Sequence, residues 1–123
     1  MSARFELKKV HSGKFMFNLK AGNSEIILTS PVYESKSAAE TGIASVKQNA
    51  PLDERYERKL SSAGRPYFVL HAANQEIIGK SETYKSRGTM KKGIASVKRN
   101  AAEAVTDDRT AAEKQQARPV GKS

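Results

Sequence analysis

Gly42-Ile43-Ala44-Ser45-Val46-Lys47 recurs unchanged as Gly93-Ile94-Ala95-Ser96-Val97-Lys98, about 51 residues downstream. Working outward from this hexapeptide, the same shift aligns residues 4–50 with 55–101 without a gap. Phe17-x-Leu19-x-Ala21-x-Asn23-x-Glu25-Ile26-Ile27 returns as Phe68-x-Leu70-x-Ala72-x-Asn74-x-Glu76-Ile77-Ile78, and Ser30, Tyr33 and Ser35 return as Ser81, Tyr84 and Ser86. So many matches in one register mark a tandem duplication.

Within each copy the apolar period changes once. Residues 4–10 alternate, with Phe5 and Leu7 opposite Glu6 and Lys8, as a half-buried strand requires. Gly13 and Gly64 mark turns before a second strand at 14–20, where Phe15, Phe17 and Leu19 share a face. Ala21-Gly22-Asn23-Ser24 reads as a hairpin turn into a short third strand at 25–29, and Pro31 limits pairing beyond it. After Ser35 the period lengthens to that of a helix: Ala39, Ile43, Val46 and Ala50 fall on one stripe, as do Met90, Ile94, Val97 and Ala101. Ser35 and Ser86 are candidate N-caps, and Ser37-x-x-Glu40 also fits a capping box. Gly42 and Gly93 sit inside the helices, where glycine costs about 1 kcal/mol, so close approach of the helix backbone to a neighbour is expected.

The expected fold class is therefore α+β: a tandem duplication of a β-β-β-α unit forming one mostly antiparallel sheet, with two helices packed on one face. Residues 1–51 and 52–104 are the two repeats of one compact domain. A unit of roughly 50 residues buries too little apolar surface to be stable alone, so a shared core is expected. Ala101 to Val105 could extend the second helix by a turn, and residues 105–123, poor in apolar side chains, read as a disordered tail.

The spaced elements Phe-x-Leu-x-Ala-x-Asn, Glu-Ile-Ile, Ser-x-x-Tyr-x-Ser and Gly-Ile-x-Ser-Val-Lys, present in both copies, resemble the bacterial YegP-like proteins of unknown function. The resemblance spans residues 4–101. It implies that tandem repeats, or two single-repeat subunits, combine into one sheet, and it carries over no catalytic residue. In many members of that family glycine follows the turn asparagine. Here Ser24 and Gln75 stand in that place.

Absence of cysteine excludes disulfides, thiolate metal sites and cysteine nucleophiles. His11 and His71 lack metal-ligand spacing, and no phosphate loop or nucleophile motif occurs, so no metal, cofactor or catalytic residue is expected. The repeated carboxylates Glu6/Glu57 and Glu25/Glu76 raise general acid–base chemistry. A shared fold explains them more simply, with Glu6 and Glu57 facing outward beside Lys8 and Lys59, and the other pair flanking turns. No apolar run reaches the ~20 residues of a membrane span, and the first residues lack a signal peptide's apolar stretch, so a cytoplasmic location is expected.

The net charge of +9 favours acidic partners, and the surplus lies mainly in the second copy. Where the first copy has Glu34, Glu40, Thr41 and Gln48, the second has Lys85, Lys91, Lys92 and Arg99. Lys36 and Lys47 keep their charge as Arg87 and Lys98. By helical angle these six cations avoid the apolar stripe, making a candidate surface for nucleic acid or an acidic protein; the alternative is an ordinary solvated face. A second candidate surface is the sheet face away from the helices. Lys20, Lys59, Tyr67 and His71 are its contact candidates, together with Lys8, Met16, Asn18 and Val69. An aromatic among cations there could stack on a base, or the face could be covered by self-association, giving a monomer or weak dimer.

Overall fold

A computed structural model describes residues 3–110. The alternating segments form β1 (Arg4–Lys9), β2 (Phe15–Lys20) and β3 (Ile26–Thr29), and again β4 (Tyr56–Leu60), β5 (Pro66–His71) and β6 (Ile77–Lys80). Phe5, Leu7, Phe17, Leu19 and Leu28 turn to one face and are fully buried. The helical period yields α1 (Lys36–Asn49) and α2 (Arg87–Glu103), whose stripes bury Ile43, Val46, Ile94 and Val97. Ser35 Oγ accepts the Ala38 N–H at 3.0 Å and Ser86 Oγ accepts the Thr89 N–H at 3.1 Å. The box from Ser37 to Glu40 does not form, because Ser37 is already the second residue of α1, behind the Ser35 cap, and its carbonyl accepts from the Thr41 hydroxyl.

One sheet holds all strands of the described residues, in the order β4-β5-β6-β3-β2-β1-β7, where β7 is Val105–Asp108. At its centre β3 runs antiparallel to β6 with Thr29 opposite Lys80. These residues are equivalent under the repeat shift, so a pseudo-twofold axis passes between them. Each helix packs on strands of both repeats, α1 on β2, β5 and β6, and α2 on β1, β2, β3 and β5. One continuous core results. Beside the axis the equivalent positions are Leu28 and Gly79, and a Cβ on Gly79 would lie 2.5 Å from Leu28 Cδ2. The centre has room for one leucine, not two.

The equivalent glycines Gly42 and Gly93 are buried for a related reason. A Cβ at Gly42 would lie 2.5 Å from the Tyr33 hydroxyl, and one at Gly93 would strike the Tyr84 hydroxyl and sit 2.5 Å from its Cζ. Tyr33 stacks on Phe17 and Tyr84 on Phe68, with ring centroids 6.1 and 6.2 Å apart. What approaches each helix is thus an aromatic ring laid between sheet and helix.

The disordered tail expected from 105 onward is corrected over its first residues. Val105–Asp108 form β7, which pairs parallel with β1 and makes the sheet mixed. The Arg109 N–H donates to the Leu7 carbonyl at 2.8 Å, and Asp108 ion-pairs with Lys36 at 2.6 Å. Backbone pairing and charge hold this strand, with one apolar residue among its four, which is why apolar content passed over it. The remainder of that tail, 111–123, lies outside the described residues.

The Lys36 ammonium, with help from Thr110, pulls the Asp108 carboxyl down to about 2. A depressed folded value stabilises docking above the ordinary carboxylate range, and the contribution is lost as pH falls from about 4 toward 2. Amide chemical shifts at 105–109 should hold constant from neutral pH to about 4 and then move toward undocked values before the core unfolds.

The turns after β2 and β5 place Ser24 at φ 71° and Gln75 at φ 73°. Asn23 and Asn74 Oδ1 accept the N–H two residues on, at 3.1 and 3.0 Å, which fixes the turn around the left-handed residue. Left-handed backbone costs a non-glycine residue roughly 1 kcal/mol. Ser24→Gly and Gln75→Gly should each stabilise the fold by about 0.5–1 kcal/mol, read by chemical denaturation.

Candidate functional site

The apolar stripe of α2 fixes which of its cations face water. Arg87, Lys91, Lys92 and Arg99 are exposed on its outer side, and Lys85 is exposed just ahead of the Ser86 cap, outside the helix. None of these five pairs with a carboxylate among the described residues. Lys98 departs from the expected ridge. It is half-buried, ion-pairs with Asp53, and its Nζ lies 5.8 Å from the centre of the Tyr56 ring. Lys47 lies over Phe5 in the same way at 5.9 Å, so this lysine belongs to the repeat's architecture.

Helix stability does not account for the cations at the start of α2. The first turn of α2 contains no acid and carries Arg87, with Lys85 before it and Lys91 and Lys92 close behind. The positive end of a helix dipole disfavours a cation in or just before the first turn, here Lys85 and Arg87, by about 0.3–1 kcal/mol each.

The structure adds two cations that the sequence alone did not single out. In the first repeat Lys14 pairs with Glu34 at 3.2 Å. The equivalent positions are Arg65 and Lys85, so an ion pair becomes two like charges. Arg58 and Arg87 line one cleft of about 290 Å³ between β4 and the start of α2, with Lys59, Leu60, Pro66 and Met90. For Arg65 the signal was an exchanged pairing partner, readable only once Lys14 and Glu34 are seen together, and for Arg58 it was a cation where the first repeat has the buried Leu7.

The sheet face away from the helices does not assemble its expected contacts into one site. Lys20 stands on β2, whereas Lys59, Tyr67 and His71 stand on β4 and β5 with β3 and β6 between. Lys20 pairs with Glu6 at 3.2 Å, and Arg109 approaches the same carboxylate at 3.5 Å. Glu6, expected to be solvated, is 7% exposed beneath these cations. Lys59 and His71 share Glu57, at 3.9 and 2.8 Å. The hydrogen bond from His71, aided by Lys59, holds the Glu57 carboxyl below its ordinary range. His71 Nδ1 also meets the Gln75 carbonyl at 2.9 Å, so the ring is anchored at both nitrogens. Tyr67 lies under Lys80, whose Nζ is 5.3 Å from the ring centre. Val69 is 4% exposed and needs no partner to cover it.

Glu25 and Glu76 are exposed beside their turns. Among the described residues, no three or more His, Asp or Glu side chains come together as a metal group, and no helix is long and apolar enough to cross a membrane.

Comparison with known proteins agrees with this duplicated architecture. A family model described as a domain of unknown function, DUF1508, matches residues 11–57 and again 61–108. The UPF0339 protein YegP of Escherichia coli K12 is 51% identical over 110 residues, covering 89% of this chain and all of the relative. A UPF0339 protein of Bordetella pertussis is 54% identical over 112 residues, covering 91% of this chain and all of the relative. The solution structure of E. coli YegP superposes with a TM-score of 0.84 over 89% of this chain and 95% of that one, at 51% identity. That of a UPF0339 protein from Shewanella oneidensis gives 0.86 over 94% and 98%, at 43% identity. With two matches to the family model and relatives at half identity along their whole length, the chain belongs to the DUF1508 family of YegP-like proteins.

Proposed function

We propose that this protein is a non-enzymatic binding module that meets nucleic acid or another polyphosphate through the outer face of α2. The observation that carries this reading is the set of five exposed cations, Lys85, Arg87, Lys91, Lys92 and Arg99, without carboxylate partners among the described residues. Lys85 and Arg87 stand at a helix end whose dipole opposes them, so their placement is costly to the fold and useful to an anion. In this reading the repeat is a β-β-β-α unit beginning at residue 4. The first copy supplies half of the shared core, and the second presents the binding face. Contact with phosphates would be independent of base sequence and steeply dependent on salt. Arg87→Glu should leave the fold intact or slightly more stable, because an acid suits the first turn, while weakening polyphosphate binding.

Pull-down of the tagged protein from cell lysate, with and without nuclease, tests the reading. Partners that vanish on nuclease treatment are expected. Partners that persist would favour a protein-interaction module working through the open sheet face, whose marker is loss of capture on Tyr67→Asp.

A further inference from the structure

The two ends of the sheet are equivalent under the repeat shift but not equally covered. β1 maps onto β4, Arg4 onto Arg55, and Lys36 onto Arg87. On the outer side of β1 lies β7, with Asp107 3.6 Å from Arg4 and Asp108 2.6 Å from Lys36. Among the described residues no strand pairs with the outer side of β4. The Leu7 carbonyl is taken by the Arg109 N–H, whereas its counterpart Arg58 presents its backbone to an open edge. The 3-10 turn at Asp53–Arg55 already uses the Tyr56 N–H, so the free run starts at the Tyr56 carbonyl.

Clefts lie at both ends of this edge. One, about 450 Å³, holds Arg55, Tyr56, Glu57 and His71. The other, about 290 Å³, holds Arg58, Arg87, Met90 and Leu60, the last 56% exposed. Glu54 and Glu57 temper the positive charge of the first cleft, and no acid lines the second. Arg87 is therefore the stronger anchor.

We infer that the outer edge of β4 is a docking site for an extended acidic peptide of another protein, which adds a strand parallel to β4 and sets its carboxylates against Arg55 and Arg87. The seat of β7 on the equivalent edge shows the geometry, and the cations along β4 select the charge. Residues 111–123 of the chain carry one acid and three cations and do not match it. A second copy's acidic strand is already held on its own β1. Cations on a short edge also discourage sheet-to-sheet aggregation, and peptide binding separates the two roles. This site shares Arg87 with the helix face proposed for polyphosphate and otherwise lies at the sheet edge.

The test titrates the isotopically labelled full chain with a synthetic peptide of the sequence Glu-Ala-Val-Thr-Asp-Asp-Arg-Thr, that of residues 103–110. Saturable shifts are expected at amides 55–60 and at Arg87, weakened about tenfold by Arg87→Glu or by replacing both peptide aspartates with asparagine. Absence of shifts at 55–60 with millimolar peptide would overturn the inference. So would shifts confined to β1 and β7, which would mean competition for the chain's own strand. Concentration-dependent changes at 55–60 without peptide would assign the edge to a second copy, and changes on truncation after Thr110 would assign it to the chain's own end. Both also overturn it. Polyphosphate binding is read at amides 91–99, so either proposal can fail alone.

Discussion

Exchanging Leu28 and Gly79 will restore most of the stability that either substitution alone removes. Leu28→Gly empties the centre of the core and should cost at least about 3 kcal/mol, combining a leucine-sized cavity with a flexible backbone in a strand. Gly79→Leu forces a second leucine into the space Leu28 fills, where the first added carbon already lies 2.5 Å from Leu28 Cδ2. Overpacking of that kind costs about 1–3 kcal/mol or more. Because the axis between Thr29 and Lys80 makes the two positions equivalent, the doubly substituted protein carries its leucine on β6 instead of β3. A double-mutant cycle by urea denaturation should give a favourable coupling of about 2 kcal/mol or more. Additive losses would mean that the halves of the core are not related as described.

Gly93→Ala should destabilise the protein by about 1–3 kcal/mol although alanine is the better helix former. The added methyl strikes the Tyr84 hydroxyl and ring, and that ring is held by its stack on Phe68, so it cannot swing aside freely. In a Tyr84→Ala background the obstacle is gone. There the same glycine substitution should change sign and stabilise by up to about 1 kcal/mol. A penalty that persists without the tyrosine would point to another role for the glycine.

The interior was legible because its periodicity is strict and doubled. Ile43 and Ile94, placed on matching stripes by their spacing, are 4% and 3% exposed in matching surroundings. The serine caps were legible for the same local reason. What was not legible depends on partners distant in sequence. β7 is held by Lys36 and by the backbone of β1, and its four residues contain a single apolar side chain. Lys98 looks like any surface lysine until Asp53 and Tyr56 are placed beneath it. Of the candidate surface, Lys91, Lys92 and Arg99 face water as helical angle requires, whereas Arg58 comes beside Arg87 only once the sheet is formed. The open sheet face was misjudged because its charges neutralise one another across strands, around Glu6 and Glu57.

The two copies share most of an interior and differ chiefly in what they show to solvent. The most direct test gives α2 the exterior of α1: Lys85→Glu, Lys91→Glu, Lys92→Thr and Arg99→Gln together, the residues that Glu34, Glu40, Thr41 and Gln48 supply in the first repeat. The fold should survive, since Lys85→Glu restores an ion pair with Arg65 like that of Lys14 with Glu34. Fluorescence anisotropy of a labelled oligonucleotide should show the natural chain losing affinity on the order of a hundredfold between about 50 and 200 mM salt, and the grafted chain binding hardly at all. A folded graft that binds as well as the natural chain, or a natural chain that fails to bind at micromolar concentration in the lower salt, would contradict the account.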